Sequence, residues 1–204
     1  MPPRVLLLPG ASGAGAFWRP VAERLPRDWQ TVLFDWPGLG DVPRDPNVRS
    51  FDDLVNLVLR NIDTNSPVDL VAQSMGGVVA IQVALARPDV VRRLVLVATS
   101  GGVDLAPFDV EDWRAEYRAE YPNAESFVTD ETTPDLSGQL STIHAPTLLL
   151  WAEADPISPP DVGRYLQHAL SHAHPRLVVL DHGDHSFARD RADDVAPLIQ
   201  AHLA

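Results

Sequence analysis

Six short apolar runs recur along the chain, each rich in leucine and β-branched residues. They are continuous rather than alternating, which is typical of parallel strands covered on both faces. Longer amphipathic stretches separate them. The predicted strands are Val5–Leu8, Thr31–Phe34, Val68–Ala72, Leu94–Ala98, Thr147–Trp151 and Leu177–Leu180, and the predicted helices are Gly15–Leu25, Phe51–Asn61, Met75–Ala86, Pro160–Leu170 and Arg191–His202. This alternation predicts an α/β fold, with a mostly parallel six-stranded sheet and helices on both faces.

One connection, between the fourth and fifth predicted strands, is much longer than the others. Within it, Val110, Trp113, Tyr117 and Tyr121 fall at i, i+3, i+7 and i+11, which predicts one stripe of a helix. The helix would either pack on the core or form a lid whose aromatic side chains face a pocket. We favour a lid at about residues 103–140, because it would lie at the carboxyl ends of the strands, where open α/β sheets bind ligands. The whole chain is then one domain with a short helical lid, and Trp113 and Tyr117 are predicted to contact substrate.

The composition narrows the possible functions. The 204 residues are 45% hydrophobic and 22% charged, which suits one globular domain with a substantial core. The net charge of -12 argues against binding nucleic acid or an anionic membrane. Cysteine is absent, so disulfides, thiolate metal sites and a cysteine nucleophile are excluded. Lysine is also absent, which removes a phosphate-loop lysine, a Schiff base and the Tyr-x-x-x-Lys pair of short-chain dehydrogenases.

The sequence carries no targeting or membrane signal. The apolar core of the opening segment is short and ends at Pro9 and Gly10 without a cleavage-like region, so we expect no signal peptide. No window approaches the roughly 18 continuous apolar residues that a membrane helix needs. We therefore expect a cytoplasmic protein, and the sequence leaves its oligomeric state open.

A glycine-rich loop after the first predicted strand admits two interpretations. Gly10, Gly13 and Gly15 follow the strand, and Asp35 lies where the ribose-binding carboxylate of a dinucleotide site would be. The spacing is G-x-x-G-x-G, however, rather than the G-x-G-x-x-G of such sites. The loop by itself leaves open a nucleotide site and a site of another kind.

The most informative segment is VDLVAQSMGGVVAIQVALA, in which a buried strand turns directly into a helix at Ser74. So tight a turn holds the serine in strained backbone geometry and lifts its hydroxyl clear of the sheet. The residues two before and two after it must be small, and here they are Ala72 and Gly76. The segment resembles the nucleophile elbow of the α/β-hydrolase family, with Ala72 where that family usually has glycine. The alternative is a glycine turn with a surface serine.

The resemblance implies an acid and then a base, each just beyond a later strand. Asp155 follows the strand in APTLLLWAEADPISPP, and His185 follows the strand in RLVVLDHGDHSFARD. Glu153 and His182 are the rival residues. Asp155 has the family position before a proline and His185 the position ahead of an aromatic residue, so the implied triad is Ser74, Asp155 and His185.

The same resemblance gives the glycine loop a role. Acyl transfer generates an oxyanion, and backbone N–H groups already aimed at that oxygen stabilise it. In the family one donor is the residue after the nucleophile, here Met75, and the other lies in the loop after the first core strand, here Ala11. Ser12 is the alternative donor and a candidate substrate contact. The segment DWPGLGD resembles the family's Asp-x-Pro-Gly-x-Gly turn, so we expect Asp35 to close a loop and bind no ribose.

These residues predict a serine hydrolase that cleaves an acyl bond of a small molecule, with a carboxylic ester as the favoured substrate. The same triad could serve lactone, thioester or C–C bond hydrolysis or cofactor-free lyase chemistry, because the fold hosts many reactions. A non-catalytic ligand-binding or regulatory protein is the alternative from another class. No cofactor or metal is predicted. His168 and His172 are spaced i, i+4 but lack the intervening glutamate of a His-Glu-x-x-His site.

Overall fold

The computed structural model describes residues 3–63, 66–130 and 134–204, and within them six strands form one parallel sheet. The strands lie side by side in the order β2-β1-β3-β4-β5-β6. Their bounds are β1 Arg4–Leu8, β2 Gln30–Leu33, β3 Val68–Gln73, β4 Val91–Val97, β5 Thr147–Ala152 and β6 Arg176–Leu180. The predicted fold class is confirmed, and each predicted strand overlaps an observed one.

The α-helices follow the predicted order with shifted ends. They are α1 Arg19–Ala22, α2 Phe51–Arg60, α3 Met75–Ala86, α4 Arg114–Glu120, α5 Pro160–Ala169, α6 Phe187–Asp190 and α7 Ala192–Leu203, with 3₁₀ turns at Gly15–Trp18, Ser126–Val128 and Ser137–Thr142. None of the helices in the described ranges has both the length and the apolar character needed to cross a membrane.

Two predicted helices are shorter than expected. The first was expected over Gly15–Leu25, but Pro20 has no N–H to continue the helical ladder, and the segment divides into a 3₁₀ turn and the four-residue α1. Of the predicted helical stripe that begins at Val110, only the seven residues of α4 form an α-helix. The Asp112 carboxylate accepts the Arg114 N–H at 3.1 Å, which begins the helix after Val110 rather than at it.

The inner strands of the sheet are buried on both faces, which explains why they are largely apolar. Along β1, Leu6 and Leu8 face one core layer, while Val5 and Leu7 face the other, and all four are fully buried. Helices α2, α3 and α5 cover the first face, and α1, α6 and α7 cover the second.

The parallel arrangement brings the functional loops to one edge. The carboxyl ends of all six strands lie at the same edge, and the strand order reverses direction between β1 and β3. The loops that follow β1 and β3 therefore lie next to each other. The long connection from β4 to β5, which carries α4, begins at this edge as well.

Helix α3 packs directly on the backbone at the end of β1, and this contact requires a glycine. A Cβ added at Gly76 would collide with the carbonyl oxygens of Pro9 and Leu8, which are main-chain atoms and cannot rotate away. At the exposed Gly138, by contrast, an added Cβ would meet nothing within 4 Å.

We expect Gly76→Ala to lower the free energy of unfolding by about 1–3 kcal/mol, the usual cost of overpacking a filled interior. Gly138→Ala should change the free energy of unfolding by less than about 0.5 kcal/mol. Urea unfolding followed by circular dichroism measures both. Equal effects of the two substitutions would contradict the tight contact between α3 and β1.

Candidate active site

Ser74 occupies a strained turn between β3 and α3. Its backbone has φ 53° and ψ −125°, a left-handed conformation that costs a non-glycine residue about 1–3 kcal/mol. Its N–H donates to the carbonyl of Val97 at 2.9 Å, which ties the turn to β4. At Gly77 an added Cβ would collide with the side chain of Thr99. The turn is thus held by close packing on both sides, with the Ser74 side chain half-buried at the sheet edge.

The imidazole of His185 connects Ser74 to Asp155. His185 Nε2 lies 2.8 Å from Ser74 Oγ, and Nδ1 lies 2.9 Å from Asp155 Oδ2. The ionised carboxylate can only accept, so this arrangement favours the tautomer with its proton on Nδ1 and leaves Nε2 free to accept from the serine hydroxyl. The structure therefore brings together the three side chains that the sequence pattern singled out, in the order hydroxyl, imidazole, carboxylate.

Asp155 is held rigidly in a turn after β5. Its side chain is buried, and its second oxygen, Oδ1, accepts the N–H groups of Ile157 at 2.9 Å and Ser158 at 3.0 Å. The rival residues lie elsewhere: Glu153 and His182 are both exposed. Both oxygens of Asp155 are thus committed, one to the backbone of its own turn and one to His185.

The sequence analysis missed Gln73, the residue immediately before the serine. Its side chain is 4% exposed, and its Nε2 donates to the backbone carbonyl of His185 at 3.2 Å. The end of β3 is thereby joined directly to the loop that carries the imidazole. The available signal was a polar residue at the last position of a buried strand, directly ahead of Ser74.

The glycine loop after β1 passes beside the serine. A Cβ added at Gly10 would lie 3.1 Å from the Ser74 Cβ. The Gly10 carbonyl accepts the Gly13 N–H at 3.1 Å, which makes residues 10–13 a tight turn containing Ala11 and Ser12. Asp35 Oδ1 accepts the Gly15 N–H at 2.7 Å, so in this structure the Asp35 carboxylate closes the loop.

Tyr117 of α4 lies against this turn rather than on the wall of the cavity described below. Its hydroxyl donates to the Ala11 carbonyl at 2.9 Å and accepts the Gly40 N–H at 3.0 Å. The ring is 8% exposed, and burial raises the pKa of the phenol above its usual value. The hydroxyl therefore remains protonated, and able to donate, at neutral pH.

A cavity of about 660 Å³ opens beside Ser74 and Met75. Trp113 contributes to its wall, with the Arg114 guanidinium 5.5 Å from the centre of the indole ring. The apolar part of the wall comes from Phe51, Val78, Val103, Leu105, Phe108, Val110, Val128 and Ile157, and the carboxylates from Asp104, Glu111, Asp112 and Asp135. Such a space suits a small organic substrate.

Known proteins resemble this chain over nearly its whole length. A family model described as alpha/beta hydrolase fold matches residues 3–141, which include Ser74 but not Asp155 or His185. A pimeloyl-[acyl-carrier protein] methyl ester esterase of Neisseria meningitidis is 27% identical over 241 residues, with 96% of this chain and 91% of that protein covered. A protein of Azorhizobium caulinodans assigned as carbamate hydrolase RutD is 26% identical over 226 residues, with coverages of 90% and 84%.

A solved structure shows the same fold. The thermophilic esterase from Thermogutta terrifontis superposes with a TM-score of 0.77, covering 98% of this chain and 88% of the esterase. Its sequence identity is 21%, so this likeness concerns the fold alone.

Proposed function

Because the chain belongs to the α/β-hydrolase fold family, we propose that it is a serine hydrolase that cleaves a carboxylic ester of a small molecule. The observation that carries the proposal is the doubly hydrogen-bonded ring of His185, 2.8 Å from the Ser74 hydroxyl and 2.9 Å from the Asp155 carboxylate. A serine hydroxyl becomes a useful nucleophile only when a base takes its proton and an acid orients that base.

The proposed reaction has two halves. Ser74 Oγ attacks the ester carbonyl carbon while His185 Nε2 takes the hydroxyl proton, and the same proton then passes to the departing alkoxide. Asp155 stabilises the imidazolium formed in between. His185 next removes a proton from water, the resulting hydroxide attacks the acyl carbon, and the acid is released as the proton returns to Ser74.

The negative charge on the carbonyl oxygen needs hydrogen-bond donors that are already in place. We assign these to the N–H groups of Met75, at the start of α3, and Ala11, in the turn beside the serine. The closeness of Gly10 to the Ser74 Cβ supports this assignment. A single such donor is typically worth about 2.7–4 kcal/mol of transition-state stabilisation.

An ester is favoured over other acyl bonds because the Neisseria meningitidis relative is named for methyl ester cleavage and aligns with 96% of this chain. A carbamate is the second candidate, because the relative assigned as a carbamate hydrolase aligns with 90% of it. Both substrates present a carbonyl carbon to the same serine. A panel of matched p-nitrophenyl esters and carbamates, compared by kcat/KM, distinguishes them, and higher values for the carbamates would overturn the ester assignment.

We expect Ser74→Ala to abolish labelling by a fluorophosphonate probe, which reacts with activated serines, because it removes the proposed nucleophile. Circular dichroism should show an unchanged fold. Ser100→Ala is the matched control, since Ser100 lies on the same cavity wall, and this variant should still be labelled. Labelling that persists in Ser74→Ala would place the nucleophile elsewhere.

We expect Asp155→Asn to lower kcat on the order of 10⁴-fold with little loss of stability. The amide oxygen would take over the two N–H bonds from Ile157 and Ser158, which turns the amide NH₂ toward His185 Nδ1. The ring must then carry its proton on Nε2, where it cannot accept from Ser74. Ester hydrolysis and thermal unfolding measure the two effects. Glu153→Gln is the control on the same loop, and equal losses of activity in both variants would contradict the assignment of the acid.

We expect Trp113→Ala to raise the ratio of kcat/KM for p-nitrophenyl octanoate over acetate by about ten-fold, because it widens an apolar wall of the cavity. The ratio is independent of how much protein is folded. Trp29→Ala, which removes a tryptophan packed on the opposite core layer, should leave the ratio unchanged. An unchanged ratio in Trp113→Ala would remove this side chain from the acyl pocket.

A further inference from the structure

The turn proposed to supply an oxyanion donor is fixed at two successive peptide units. The first is the Gly10–Ala11 unit, whose carbonyl accepts the Gly13 N–H within the turn itself. The second is the Ala11–Ser12 unit, whose carbonyl accepts the Tyr117 hydroxyl from the long connection, 106 residues away in the chain. One anchor is local, and the other comes from helix α4.

The second anchor matters because the middle peptide of a tight turn is its least constrained unit. Type I and type II turns differ chiefly in the orientation of this peptide, and the closing hydrogen bond is compatible with both. The bond from Gly13 to Gly10 therefore does not fix the Ala11–Ser12 unit. Since a peptide is planar, with its N–H opposite its C=O, holding the Ala11 carbonyl also sets the direction of the Ser12 N–H.

Tyr117 is well placed to hold this peptide. Its hydroxyl is itself positioned by the Gly40 N–H, and its ring packs edge-on against Trp113 at 5.6 Å between centroids. Gly40 in turn lies directly on the turn, because a Cβ added there would collide with the carbonyl oxygen of Ser12. Helix α4, the glycine loop and the residues around Gly40 thus meet at one phenol group.

We infer that Tyr117 is a positioning residue that anchors Ala11 by its carbonyl and orients the Ser12 N–H, the alternative oxyanion donor, so that oxyanion stabilisation depends on the seating of helix α4. This inference rests on the proposed function. Tyr117, which the sequence predicted to contact substrate, would then act by positioning the backbone of the turn instead. Trp113, which packs edge-on against Tyr117, lies on the cavity wall.

The test is Tyr117→Phe, which keeps the ring and removes only the hydroxyl. We expect kcat for p-nitrophenyl acetate to fall about ten-fold, the factor that corresponds to one lost hydrogen bond, with KM unchanged within about two-fold. Fluorophosphonate labelling should slow by a similar factor and still reach completion, because the probe's phosphoryl oxygen uses the same donors. Each rate is divided by the fraction of protein that the probe finally labels, so that unfolded protein does not affect the comparison.

Tyr121→Phe is the matched control, because Tyr121 immediately follows the same helix and its ring lies 5.0 Å from that of Tyr117. It should keep the wild-type kcat. Equal kcat for Tyr117→Phe and wild type would overturn the inference, and so would a change confined to KM or to acyl-chain preference, which indicates a pocket residue. A wild-type protein that neither labels nor hydrolyses esters would instead overturn the proposed function.

Discussion

The two hydrogen bonds of the His185 ring impose the constraint on which the rest of the site depends. One ring must reach a serine after β3 and a carboxylate after β5, although it belongs to the loop after β6. A parallel sheet satisfies this requirement, because every strand delivers its following loop to the same edge. Gln73 strengthens the arrangement, since its amide donates to the His185 carbonyl and so joins the end of β3 to the loop after β6.

Sequence was sufficient where the determining interactions are local. Largely apolar runs predicted the six strands because burial on both faces leaves few polar positions. The small residues around Ser74 indicated a tight turn, because only small residues fit where the backbones pack so closely. Helix ends were less predictable. Pro20 divides the first helix, and the hydrogen bond from the Arg114 N–H to the Asp112 carboxylate delays the start of α4 until Arg114. Both effects override the apolar periodicity.

The long-range contacts of the site could not be predicted from the sequence pattern, for a physical reason. The apolar spacing of Tyr117 predicts that its ring is buried, but it carries no information about what its hydroxyl meets across 106 residues. The same holds for Gln73, whose partner lies 112 residues away. Polar atoms of buried residues must find hydrogen-bond partners, yet which partner they find is decided by how the elements pack.

The serine turn and the turn at Ala11 are therefore held in place by different kinds of contact. The serine turn is held by main-chain contacts, with Gly76 against the carbonyls of Pro9 and Leu8 and the Ser74 N–H bonded to β4, and no side-chain rotation can relax these contacts. This rigidity is what a strained φ of 53° requires, because strain persists only where the surroundings leave no alternative. The turn at Ala11 is held instead by its own Gly13–Gly10 hydrogen bond and by one phenol group from a seven-residue helix. The nucleophile is thus fixed by the core of the fold, whereas the backbone opposite it is held partly by a side chain of the long connection between β4 and β5.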